Sequence, residues 1–226
     1  MAQKIKLMLV AFIIAAISVK AQNFNYTLSK DSSVYNALVS PILLTTAGQN
    51  WSTANFYVHI PFQFNFCGSS TDSLKIEGNG FIVFDHIKNW SIVAFNDFRS
   101  NKDTNQNYVS SVGYLTTGSQ GNRITKIEFK NLSQNTLSNS DYLNYQAWLY
   151  ENGNKIEFHI GPNSGLQSSV LLGLVNKNMD TEDKAYLVNG SQYTLTGQLI
   201  SSDNEFVYLN NIPSQGTILT LTPSAN

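Results

Sequence analysis

Asn55-Phe56-Tyr57-Val58-His59-Ile60-Pro61-Phe62-Gln63-Phe64-Asn65-Phe66-Cys67-Gly68 carries an apolar residue at every second position from Phe56 to Phe66. Successive side chains of a strand point to opposite faces, so this period of two predicts a strand with one buried face. Cys67-Gly68 ends it, and Leu74-Lys75-Ile76-Glu77 opens a second alternating run. Gly78-Asn79-Gly80 supplies residues that tolerate the positive φ of a tight turn. Phe81-Ile82-Val83-Phe84 is apolar on both faces and reads as a central strand. The stretch is the middle of a β-sandwich. Phe62, Phe64, Phe84, Phe129 and Phe158 are expected between its sheets, with Ile82 on the face of Phe84.

Outward from this stretch, short alternating runs are separated by Asn, Gly, Ser and Asp clusters, and no long segment keeps a helical period. Asn23–Leu28 is expected as an edge strand, Tyr35–Trp51 as one or two short strands around Pro41, and Trp90–Phe98 as an apolar strand. Arg99–Asn107 reads as a polar loop and Val109–Thr116 as a strand. Arg123–Asn131 is a strand with Thr125, Ile127 and Phe129 opposite Lys126, Glu128 and Lys130. Leu132–Ser140 reads as a polar loop. In Tyr142–Gly161, Asn152-Gly153 predicts a hairpin with a type I′ turn. That turn pairs Tyr150 with Lys155, Leu149 with Ile156, Trp148 with Glu157, Ala147 with Phe158, Gln146 with His159 and Tyr145 with Ile160. A slip of one residue would mix apolar and polar faces, which supports the register. Ser168–Val175 reads as a second central strand, Asn176–Lys184 as a polar loop, and Ala185–Val188, Phe206–Leu209 and Thr217–Thr222 as closing strands.

Residues 1–21 read as a cleaved signal peptide, with a basic start at Lys4 and Lys6, an apolar run Leu7–Val19, and the small-residue site Val19-Lys20-Ala21. The run is shorter than the roughly 20 residues of a membrane span, and no later segment is apolar enough to cross. Residues 22–226 are then a single domain. Removing Lys4, Lys6 and Lys20 from 14 basic residues leaves 11 against 15 acidic ones, a net charge of −4. Nucleic-acid binding needs a basic footprint, so that class is excluded. One cysteine, Cys67, permits no intrachain disulfide and reads as a small buried apolar residue.

Chemistry is sparse. His59, His86 and His159 share no ligand spacing, and they read as exposed strand or loop residues. Asn101, Asp103, Asn105 and Asn107 put oxygen-bearing side chains at alternate positions, with Asp97 nearby, a pattern that suits Ca²⁺. The sixth position of an EF-hand would be Gln106 rather than Gly and the twelfth Val112 rather than Glu, so a solvated polar loop is the alternative. Glu128 and Glu157 are the candidates for the paired carboxyl groups of a glycoside hydrolase, but Lys126, Lys130 and Lys155 offer ordinary cross-strand partners. The hairpin register gathers Trp148, Tyr150, Gln146, Glu157 and His159 on one face. An aromatic ring beside amide, carboxylate and imidazole groups suits a glycan. Cover by a loop such as Leu132–Ser140, or plain cross-strand pairing, is the structural alternative.

Ile60–Gly68, Gly78–Phe84, Ile92–Phe98, Asn122–Ile124 leading into Ile127–Asn131, Tyr145–Ile160, Leu172–Asn176 and Gly216–Pro223 together resemble a module of secreted Bacteroidetes surface proteins. That module is similar in layout to nidogen-like and jelly-roll adhesin domains. The resemblance implies an antiparallel two-sheet β-sandwich, jelly-roll-like, with an exported binding or structural role and no chemistry. Asp72-Ser73-Leu74 fits the short Asp-Ser/Thr-apolar pattern at which such bacteria attach O-glycans, and a glycan at Ser73 would decorate the loop before the second alternating strand. Related proteins often carry a C-terminal sorting domain. Here the expected last strand is followed directly by the end of the sequence, so a periplasmic or outer-membrane-associated location is expected alongside an extracellular one. The expected function is that of a non-catalytic binding or cell-surface interaction module, with a glycan or a surface protein as partner. A carbohydrate-binding module, a glycan-acting hydrolase and an accessory subunit of a surface or secretion apparatus are the alternatives. An exposed aromatic platform would favour glycans, and an apolar patch would favour a protein partner. Protein exported by the native host should begin at Gln22; intact mass measurement checks this, and Met1 in exported material would contradict it.

Overall fold

The computed structural model describes residues 23–84, 90–95, 99–102, 105, 107–134, 141–164, 170–176, 184–189, 199–201, 205–209 and 211–224. These residues form strands and turns, with no helix among them. In chain order the strands are β1 (Asn23–Ser32), β2 (Ile42–Leu43), β3 (Asn55–Phe66), β4 (Ser69–Glu77), β5 (Phe81–Val83), β6 (Trp90–Ala94), β7 (Arg99–Ser100), β8 (Ser111–Thr117), β9 (Ile124–Ser133), β10 (Leu143–Tyr150), β11 (Ile156–Asn163), β12 (Val170–Asn176), β13 (Lys184–Asn189), β14 (Leu199–Ser201), β15 (Glu205–Leu209) and β16 (Thr217–Pro223). A nine-stranded sheet runs β13-β1-β16-β11-β10-β9-β8-β2, with β7 also paired to β9. A seven-stranded sheet runs β14-β15-β12-β6-β5-β4-β3. Every pairing is antiparallel except β1 with β13.

The alternation in β3 decides which side faces inward. Val58, Ile60, Phe62, Phe64 and Phe66 are buried, while His59, Pro61, Gln63 and Asn65 between them are exposed. Phe64 and Phe66 pack against Phe84 with ring centroids 5.4 and 4.3 Å away. The facing sheet contributes Phe129, Tyr145, Phe158 and Ile160 to the same core. Rings and hydrogen bonds join the layers. Tyr26 of β1 meets Phe66 at 5.4 Å and its hydroxyl accepts from the Cys67 N–H at 3.1 Å; Phe95 meets Tyr145 at 5.0 Å. The expected core phenylalanines and Ile82 are all buried. On the opposite face of the central strands Val83 and Val93 are buried too, as a strand apolar on both sides requires.

The hairpin register is as read from the sequence, from Leu149↔Ile156 to Tyr145↔Ile160. Its turn differs. Residues 151–154 form a four-residue loop closed by the Tyr150 N–H to the Lys155 carbonyl, and positive φ falls on Gly153 and Asn154 rather than on Asn152. A two-residue and a four-residue loop centred alike give the same register, which is why the pairing survives the different turn. The Glu151 carboxylate explains the preference. It accepts from the backbone N–H groups of Gly121 and Arg123 and from the Arg123 guanidinium, tying the loop to the neighbouring β8–β9 turn.

Other expectations are corrected. β1 lies between β13 and β16 and is not an edge, because it gains a parallel neighbour from the far end of the chain. The segment 35–51 does hold one short strand beside Pro41, the two-residue β2, in keeping with the expectation. The loop 99–107 opens with β7 and carries a Lys102↔Tyr108 bridge. At the β4–β5 turn only Gly80 has positive φ. Gly78 is needed for close approach instead: a Cβ there would lie 2.2 Å from the Trp51 carbonyl oxygen. The edge strand β3 is guarded by Pro61, which has no N–H to offer, and by Asn154, whose Oδ1 accepts the Asn65 N–H at 2.9 Å. Residues 1–22 lie outside the described part. Phe64→Ala should lower unfolding free energy by roughly 3–5 kcal/mol in chemical denaturation, because the ring is buried between both sheets.

Candidate functional site

The outer face of the nine-stranded sheet is set by the same alternation that buries Ile127, Phe129, Tyr145, Ala147 and Phe158. It presents two cross-strand rows, Leu115-Lys126-Trp148-Glu157-Thr220 and Gly113-Glu128-Gln146-His159-Ile218. All the hairpin candidates therefore come together. They are less exposed than a bare polar strand face: Gln146 is 1% exposed, and Glu157 and His159 are each 9% exposed.

The covering element is the segment 33–40, which joins β1 to Pro41. Its Ser33 N–H donates to the Gly216 carbonyl at 2.8 Å. Tyr35 packs on Gly161, where a Cβ would lie 2.7 Å from the ring. The Tyr35 hydroxyl and the Leu38 N–H both donate to Glu128 Oε1 at 3.0 Å, and Gln146 Nε2 donates to Glu128 Oε1 and to the Asn36 carbonyl. Lys130 pairs with the other Glu128 oxygen at 3.0 Å. Segment 33–40 thus covers this face; of the expected cover 132–140, Leu132 and Ser133 belong to β9 and residues 135–140 lie outside the described part. Glu128, expected on an exposed face, is 2% exposed because this segment lies over it.

Trp148 is half-buried. His159 stacks on its ring at 3.8 Å with an interplanar angle of 21°, and Lys126 Nζ lies 3.8 Å from the ring centroid. Two groups that close to one centroid do not fit on one side of the ring, so they hold opposite faces. The indole N–H donates to Gln146 Oε1 at 2.7 Å. The ring is therefore locked and offers its edge rather than an open platform. Gln146, Trp148, His159, Lys126 and Leu115 line a pocket of about 370 Å³ beneath the 33–39 segment; Tyr150 and Glu157 are outside its lining.

Glu157 sits beside the pocket as a hub. It accepts from the Tyr150 hydroxyl at 2.5 Å, from Lys155 Nζ at 2.7 Å and from His159 Nε2 at 2.9 Å. Burial alone would raise its pKa, but the bonds from His159, Lys155 and Tyr150 outweigh it and hold the carboxyl at about 2. Burial also raises the Tyr150 phenol. His159, read from the sequence as exposed, is buried by its stack on Trp148 and its bond to Glu157. His59 is exposed as expected, and His86 lies outside the described residues.

Of the calcium candidates, Asp97 and Asp103 lie outside the described residues, and Asn105 is exposed. Asn101 is 3% exposed, and its Oδ1 accepts the Lys102 N–H while its Nδ2 donates to the Asp141 carbonyl. Its amide serves the loop. Among the described residues no three His, Cys, Asp or Glu side chains converge on a metal site. Ser73 lies within β4, opposite His59, rather than in a loop before the strand. Sequence reasoning missed Tyr35, Leu38 and the role of Glu128. A signal was present in Gly161, which takes an outward position two residues beyond His159; a glycine inside a strand marks close approach of another segment.

A family model described as NIDO related matches residues 25–223. No curated protein and no solved structure matches the chain.

Glu157 has a folded pKa below its ordinary value, so its stabilising contribution is present above pH ~4.5 and is lost as pH falls toward 2. Glu157→Gln should therefore flatten the dependence of unfolding free energy on pH across that window relative to wild type, as read by urea denaturation at a series of pH values.

Proposed function

Because this chain belongs to the NIDO-related family, whose model spans the sandwich from β1 to β16, we propose that it is an exported, non-catalytic binding module that meets a protein partner through the 33–43 segment. One observation carries this reading. Val34, Val39, Ile42 and Leu43 are 79%, 81%, 57% and 61% exposed within a single short stretch. Val34 and Val39 border the pocket with Leu115, and Ile42 pairs with Tyr114 beside it. Scattered apolar residues on a surface need no explanation, but a grouped set beside a pocket marks a place where another surface removes it from water. The segment is held from below by Glu128, so the apolar side chains are presented on an anchored element. The outer-face carboxylates support the non-catalytic reading: Glu128 and Glu157 are saturated by their own neighbours, and neither lines the pocket. The leader-like residues 1–21 support export.

A glycan is the second reading, favoured by Gln146, His159 and Lys126 around the edge of Trp148. It requires binding at the indole edge, since both faces are taken. On a glycan array this reading expects binding that Trp148→Ala abolishes.

The protein-partner reading is tested by a photo-crosslinking residue at Val39 or, as control, at His59 on the other sheet, in the native host. A discrete adduct from Val39 alone is expected, and Ile42→Asp should weaken its formation roughly tenfold, the loss of about one buried apolar contact. Equal adducts from both positions, or none, would contradict it. Ile42 is exposed, so its substitution should leave the thermal midpoint unchanged.

A further inference from the structure

The outer face of the nine-stranded sheet carries Lys126, Lys130 and Lys155 beside two buried carboxylates. Lys130 Nζ lies 3.0 Å from Glu128 and Lys155 Nζ 2.7 Å from Glu157. Lys126 is different. Among the described residues no carboxylate lies within ion-pair distance of it, and its ammonium rests on the Trp148 ring. It also lines the pocket under the 33–39 segment. The two nearby carboxylates are already saturated, so among the described residues the pocket holds a partly covered cation without a counter-charge.

Resting on the protein-partner reading, we propose that this pocket receives the carboxylate of an acidic side chain from the partner, flanked by apolar residues that cover Val34 and Val39. Charge complementarity selects the acidic group. An ammonium withdrawn from bulk water is attracted to an anion more strongly than one on an open surface. The aromatic ring below compensates it only in part, because a ring quadrupole carries no net charge. Burial lowers the Lys126 pKa, and an anion in the pocket would reverse that by favouring the charged form. The lining selects the rest of the ligand. Val34, Ala37, Leu38, Val39 and Leu115 form apolar walls, and the volume of about 370 Å³ fits one acidic side chain with part of a neighbour. A uronic acid would supply the same charge, but both faces of the indole are occupied and leave no plane for its ring.

The test uses the full mature chain, labelled with ¹⁵N at its tryptophan indoles, and follows the Trp148 N–H that Gln146 holds. The probes are a blocked Val-Glu-Leu peptide, its Val-Gln-Leu counterpart, glucuronate and glucose, at about millimolar concentration. The Glu peptide should shift the Trp148 signal saturably and leave Trp51 and Trp90 unmoved. The Gln peptide should bind roughly tenfold more weakly. Lys126→Gln should remove the difference between the two peptides, and Lys126→Arg should retain it, with folding of each variant checked by its thermal midpoint. No shift from the Glu peptide, or equal shifts from both peptides, overturns the proposal. A response to glucuronate and not to the Glu peptide overturns it in favour of an acidic glycan. A Val39 adduct in the host without any peptide response leaves the protein-partner reading standing and sinks the carboxylate; no Val39 adduct sinks that reading and this proposal with it.

Discussion

A carboxylate taken out of water must be fully hydrogen-bonded, and Glu128 is the place where this chain meets that demand. Its two oxygens are served by Tyr35, Leu38, Gln146 and Lys130. Leaving such a group without partners typically costs about 3–5 kcal/mol. The cost binds a segment of the early chain to the middle of a sheet built mostly from later strands. Without it, residues 33–40 would have little reason to cross this face, because Val34 and Val39 stay largely exposed there. The segment, the pocket beneath it and the apolar side chains above it all follow from one buried charge.

Beside that anchor, the floor of the pocket is a run of mutually fixed groups. Lys126 and His159 clamp the indole, Gln146 holds its N–H, and Glu157 holds His159 together with Tyr150 and Lys155. Each member is constrained by at least one other, so the ring has little freedom to turn a face outward. This separates the site from a flat aromatic platform, although the residue types are the ones a platform would use. A closed polar network costs little in stability when every lone pair and proton is used, and here it also keeps the floor in one geometry.

The two sheets depend on this outer face less than it depends on them. Aromatic rings from both layers meet in a continuous core, from Phe64 and Phe84 on one side to Phe129 and Tyr145, 4.6 Å apart, on the other. The register of β9, β10 and β11 is pinned by which residues can enter that core. The outer rows are then a consequence: once Ala147 and Phe158 face inward, Trp148 and His159 must face outward. The candidate site is thus positioned by the packing of residues on the opposite side of the same strands.

Much of this was legible from local pattern. The period of two in Phe56–Phe66 specified the inward face, and the hairpin pairing read from Asn152-Gly153 holds because it keeps Tyr145, Ala147 and Leu149 on one side, even though the loop that closes it has four residues and not two. Those inferences succeed because alternation is a property of neighbouring residues. What the tertiary structure alone decided involves residues far apart in sequence. The parallel pairing of β1 with β13 brings together opposite ends of the chain and removes an expected edge. Glu128 alternates like an exposed residue, and only the arrival of Tyr35 and Leu38 makes it a buried one. Trp148 had the composition of an open binding surface, and only the positions of Lys126 and His159 show that both its faces are filled. By itself the sequence determined which face of each strand is apolar, because burial of apolar surface acts residue by residue. What covers the polar face was decided in three dimensions, because a buried charge takes its partners from wherever the fold delivers them.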